Sequence, residues 1–130
     1  MQKSKSGKII IPPNTNIWPH EIATAQALAA SGFTIQFIRK SNREREYSAD
    51  CYINGEKWEL KSPKASHLRT IRKNIKIARR QSEQIVIDSI RIKRIPDFAI
   101  RREVIKQTQE IKYIKKLLYV SKNREIVKIK

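Results

Sequence analysis

The sequence predicts an α/β fold in which a mixed β-sheet is flanked by helices. Three observations carry that reading. Two strand-like runs, residues 49–53 and Glu56–Lys61, are separated by Asn54-Gly55, the preferred pair for a two-residue hairpin turn. Leu68, Ile71, Ile75 and Ala78 recur at helical spacing and mark the buried stripe of a helix. The predicted elements run helix, strand, strand, strand, helix, strand, with a further helix and hairpin behind, an order that layers helices on one sheet.

In chain order, residues 1–17 read as a basic, proline-containing leading segment with a short edge strand at 9–11, and residues 18–130 as one domain. Pro19 suits the first turn of a helix, where its missing N–H costs nothing. The run HEIATAQALAA continues that helix to a stop at Ser31-Gly32. Residues 33–38 (FTIQFI) alternate as a strand, and residues 39–47 (RKSNREREY) form a polar loop. After the hairpin and Ser62-Pro63, a helix is expected over about 66–81 and a central strand over 84–92. A second long helix should run from Asp97 to about residue 113, and LLYVSKNREIVKI closes the chain as a hairpin.

Charge narrows the partners. The chain carries 29 Lys and Arg against 12 Asp and Glu, a formal net charge of +17. Self-repulsion of that size destabilises a compact state, and a polyanionic partner is the ordinary reason for accepting it. A membrane surface fits less well: no apolar run approaches the ~20 residues of a spanning helix, and no signal-peptide pattern opens the chain. The lone Cys51, inside a strand-like run, packs as a small apolar side chain, and two isolated histidines make no zinc-site spacing.

The hairpin concentrates the chemistry. A two-residue turn fixes the register so that Ile53 faces Glu56, Tyr52 faces Lys57, Cys51 faces Trp58 and Asp50 faces Glu59. Cys51, Ile53, Trp58 and Leu60 then share the core face, and Asp50, Tyr52, Lys57, Glu59 and Lys61 the other. Asp50 and Glu59 would lie opposite, with Cβ atoms roughly 5 Å apart, and like charges so placed need a cation between them. A divalent metal is the natural occupant: Mg²⁺ first, with Mn²⁺ or Zn²⁺ as alternatives. Lys61 projects to the same side, where it can orient an attacking water or stabilise charge on a phosphate.

Asp50, followed after eight residues by Glu59-Leu60-Lys61, resembles the motif of the PD-(D/E)xK nuclease superfamily, with Ala49 in place of the usual Pro. That resemblance implies a helix, three strands, helix, strand core and metal-dependent phosphodiester hydrolysis. The run NGEKWELKSPKAS–RTIRKNI–A–QS–IVID is similar to the tRNase domain at the C-terminus of CdiA contact-dependent inhibition toxins and of related phage and mobile-element proteins. The similarity extends over roughly residues 18–130. It implies a toxin nuclease that cuts tRNA in the bacterial cytoplasm, after delivery by a larger protein, and that an acidic immunity protein neutralises.

The remaining candidates each have two readings. Glu21 is favoured in a first turn by the helix dipole, while in the resembled family a first-helix Glu joins the catalytic metal site. His20 reads first as a helix-start polar residue and second as a general base. From Lys61 to Arg80 there are eight basic residues and no acid, and Arg69, Lys73, Lys76 and Arg80 share one helix face, a pattern that suits a phosphate backbone. Thr70, Asn74 and Tyr52 are further substrate-contact candidates, with Ser62, His67 and Gln81 near them. Trp58 reads as packing and Asp88 as a buried structural acid. The rival functions are a DNA endonuclease of the same chemistry and a nucleic-acid-binding module without catalysis.

Overall fold

The computed structural model describes residues 6–39 and 49–130. Their strands form one seven-stranded sheet with neighbours in chain order, β1 (Ile9–Ile10), β2 (Ile35–Phe37), β3 (Cys51–Ile53), β4 (Glu56–Lys61), β5 (Gln84–Asp88), β6 (Lys116–Val120) and β7 (Ile126–Lys128). Strands β1–β2, β4–β5 and β5–β6 pair in parallel, the others antiparallel. Three helices make the parallel crossovers: α1 (Pro19–Ala30), α2 (Arg69–Gln81) and α3 (Asp97–Glu110). The mixed, helix-flanked sheet is the fold class the sequence predicts. The predicted loop 39–47 lies almost wholly outside the described residues. No helix among the described residues is long and apolar enough to cross a membrane.

Local chemistry explains where elements stop. Helix α1 ends in a Schellman motif: Gly32 N–H donates to the Ala29 carbonyl and Phe33 N–H to that of Leu28, with Gly32 at φ +98°. Asn54 and Gly55 both have positive φ, 48° and 87°, as a type I′ turn demands. The central strand is shorter than the expected 84–92, because the Asp88 carboxylate turns back to accept the Ile90 N–H at 2.9 Å and breaks the ladder. Helix α2 starts three residues later than expected and α3 stops at Glu110, short of 113.

Both faces of the sheet are covered. Leu60, Val86 and Leu118 form one cross-strand row on the α1 side, with Cys51, Ile53, Trp58, Ala25 and Leu28. Ile85, Ile87, Leu117 and Tyr119 point the other way, against Ile71, Ile75 and Ala78 of α2 and Ile100 and Val104 of α3. Trp58 and Leu60 therefore belong to the first core, and by alternation Glu59 and Lys61 lie on the α2 side. One buried polar knot ties the layers together: Asp88, fully buried, accepts from Thr24 Oγ1 at 2.6 Å and from both Arg124 nitrogens at 2.8 and 2.9 Å.

Candidate active site

Strand β4 carries the centre of the site. Its register against β3 is the one the hairpin turn predicts, with Cys51 on Trp58, Tyr52 on Lys57 and Ile53 on Glu56. The ladder stops there, and this corrects the expected Asp50–Glu59 cross-strand pair. Asp50 N–H still donates to the Trp58 carbonyl at 3.1 Å, but its side chain bends along the strand, where Oδ2 accepts the Leu60 N–H at 2.8 Å. Hydrogen bonding to the backbone, in addition to any cation, thus keeps Asp50 near β4.

Beyond the ladder, Glu21, Asp50, Glu59 and Lys61 line one cleft of about 410 Å³. The cleft opens where β4 and β5 end, beside the start of α1. In open α/β sheets, ligands bind at the carboxyl ends of parallel strands. Glu59 is only 4% exposed, and its Oε2 lies 3.7 Å from Lys61 Nζ. Glu21 Oε1 accepts the Trp18 N–H at 3.0 Å, closing the first turn of α1, while the residue also walls the cleft. Among the described residues, no three of His, Cys, Asp and Glu stand close enough together to hold a metal ion by themselves.

Helix α2 contributes a polar edge and a basic back. Asn74 and Gln81 reach the cleft, with Asn74 Nδ2 bonded to the Thr70 carbonyl at 2.9 Å. Arg69, Lys73, Lys76 and Arg80 are exposed on the side opposite Ile71, Ile75 and Ala78, outside the cleft lining. Tyr52 and Thr70 do not line the cleft either. The buried Ser62 Oγ and Gln81 Oε1, both in residues of the lining, have no hydrogen-bond partner among the described residues.

Trp18, Lys64 and Arg91 also line this cleft, and sequence reasoning missed them. Arg91 was hidden by the expected strand over 84–92: the break at Asp88 turns the chain so that Arg91 faces back toward α1. His20 lies in the same lining, and its pKa is lowered by burial first and by Arg91 second, against the raising effect of Asp50 and Asp88. A histidine so placed favours the neutral form, which accepts protons.

The family model described as "Contact-dependent growth inhibition CdiA C-terminal domain" matches residues 47–126, more than half of the chain and all of the hairpin, α2 and α3. Among solved structures, a chain of the "CdiA-CT/CdiI toxin and immunity complex from Burkholderia pseudomallei" is similar, with 23% identity and a TM-score of 0.67. The similarity covers 95% of this chain and 99% of that one, and at this identity it bears on the fold. No curated protein matches significantly. The protein thus belongs to the family of CdiA C-terminal domains of contact-dependent growth inhibition.

Proposed function

We propose that the chain is a metal-dependent endoribonuclease toxin domain that hydrolyses phosphodiester bonds of tRNA, with the PD-(D/E)xK motif as its centre. The observation that carries the reading is the convergence of Glu21, Asp50, Glu59 and Lys61 on one cleft beside a basic helix. Burying a carboxylate such as Glu59 is costly, and a module that only grips phosphates gains nothing from acids set beside them. The donor set suits Mg²⁺, which typically binds through one or two protein carboxylates and completes its shell with water and phosphate oxygens. Asp50 and Glu59 would hold it. When bound, such an ion supplies Lewis-acid polarisation of the phosphate and a lowered pKa for the attacking water.

The chain's own residues do the rest. Lys61 sets a positive charge beside Glu59, where it orients the attacking water or offsets charge on a phosphoryl oxygen. Glu21 adds a third negative charge at the wall, held by its bond to Trp18. Ser62 Oγ and Gln81 Oε1 supply buried polar atoms for water or substrate. The stripe Arg69, Lys73, Lys76 and Arg80 grips the backbone farther out.

An acidic immunity protein is the expected partner. A charge of +17 favours fast, salt-sensitive association with it, and covering the mouth of the cleft excludes a polynucleotide without contact to Asp50 or Glu59. The site of action would be the bacterial cytoplasm. The test incubates total tRNA and plasmid DNA separately with the protein, in Mg²⁺ and in EDTA. Cleavage of tRNA only with Mg²⁺ is expected. Cleavage of plasmid alone turns the reading to a DNA endonuclease, and no cleavage of either sinks it.

A further inference from the structure

Trp18 is 69% exposed, against 5% for Trp58, although it stands at the edge of the cleft. Its ring stacks on His20, with centroids 6.2 Å apart and planes 15° from parallel. A second hollow of about 270 Å³ adjoins the cleft, and Trp18, Glu21 and Asp50 line both. Trp18 therefore stands at the boundary of two polar hollows. Its backbone N–H donates to the Glu21 carboxylate at 3.0 Å, which holds the Trp18 backbone beside that acid. Arg39 on one side and Arg91 on the other add positive charge.

Exposure alone does not set Trp18 apart, since Phe98 and Tyr113 are similarly exposed; its place on the cleft does, and this setting selects the kind of partner. An apolar peptide side chain would gain little among carboxylates and guanidinium groups. A nucleotide suits it, because the π-face of its base stacks on indole while its phosphate seeks Arg and Lys. Resting on the nuclease reading above, we infer that Trp18, backed by His20, is the stacking platform for one unpaired nucleobase adjacent to the phosphate at Glu59 and Lys61. A base still paired in a duplex cannot offer its face to the ring. The domain thus selects single-stranded or loop nucleotides at the cut site, and this selection is made at Trp18 rather than along the basic helix.

The test measures binding in EDTA, where no cutting is expected, using a short unstructured RNA, the same RNA with abasic positions, and a blunt RNA duplex. Unstructured RNA should quench the indole emission of wild type. Trp18→Phe should abolish the quench, because Trp58 is buried, yet keep affinity within about threefold, since a phenyl ring also stacks. Trp18→Leu should weaken the unstructured RNA on the order of five- to a hundredfold, the range of a single base stack, and leave abasic and duplex binding almost unchanged. The platform is overturned if Trp18→Leu binds unstructured RNA like wild type, if abasic RNA loses as much, or if wild type shows no quench. A parallel cleavage assay in Mg²⁺ separates the two ideas. Quenching without cleavage leaves the platform standing and removes the nuclease; cleavage with an unchanged KM in Trp18→Leu does the reverse.

Discussion

Two buried carboxylates occupy neighbouring parallel strands and live in opposite surroundings. Asp88 of β5 is fully buried and receives short bonds from Thr24, from the Ile90 backbone and from both nitrogens of Arg124. Arg124 also donates to the Ala23 carbonyl at 3.1 Å, so the knot joins α1, β5 and the turn before β7. Hydrogen bonding to Asp88 is the main reason its guanidinium is held charged more firmly than usual. Glu59 of β4 is almost as buried, yet it lines a cleft and its ion pair with Lys61 is long, 3.7 Å. Short bidentate geometry fixes a charge and spends it on architecture. A buried charge that faces a cleft is placed to meet a ligand. Burial alone does not separate the two roles; access to the cleft does.

The largest expected effect breaks the architectural half. Arg124→Ala leaves Asp88 as a buried charge without its guanidinium and should cost about 3–5 kcal/mol in urea unfolding. Asp88→Asn combined with Arg124→Leu should cost clearly less than Arg124→Ala alone. Equal losses would mean that the knot's charge pairing contributes little. On the other side, Glu59→Gln should lower tRNA cleavage at least about a hundredfold while leaving the urea midpoint nearly unchanged. Lys61→Ala should behave alike. Asp50→Asn should also remove cleavage, but Asp50→Ala should in addition lose roughly 1 kcal/mol, because the Asp50 carboxylate holds the Leu60 N–H. Full activity in all four variants would remove these residues from the site.

The same contrast shows what was legible in the sequence. Alternation and the Asn54-Gly55 turn gave the register of β3 on β4 and placed Trp58 and Leu60 in the core, because those rules act between adjacent residues. They failed at Asp50, where the side chain competes with the ladder for a backbone amide, a choice no period records. Asp88 looked structural because it interrupts an apolar strand, but its partner Arg124 is 36 positions away, and only the fold brings them together. Arg91 and Trp18 were invisible for a related reason. Each flanks an element end, where local caps and turns rather than hydrophobic pattern decide how the chain leaves the element.

A smaller effect tests the outer grip. Changing Arg69, Lys73, Lys76 and Arg80 together to Gln should weaken RNA binding and reduce the salt slope by about 0.7–0.9 log units for each phosphate left without a neutralising side chain. Each residue is exposed and points away from the apolar stripe, so folding should be preserved. Cleavage at saturating RNA should survive, in contrast with Glu59→Gln. An unchanged slope would show that this face meets solvent and that the grip lies elsewhere.

The smallest effect uses His20, which feels both Asp50 and Asp88 and so reads the two regions at once. Burial is the larger cause that lowers its pKa below 6.5, Arg91 the next, and the two carboxylates oppose them. A histidine with a lowered folded pKa binds protons more readily when unfolded. Its contribution to stability is therefore fully present above pH 6.5 and is lost as pH falls through 6.5 and the lower folded value. His20→Gln should accordingly flatten the fall in stability on the acid side. In NMR, the ring signal that vanishes in His20→Gln should titrate below 6.5 in wild type. Arg91→Leu should move that titration upward only in part, because burial remains the larger cause. A titration at or above 6.5 would mean that Asp50 and Asp88 outweigh burial, and the neutral, proton-accepting His20 would then have to be abandoned.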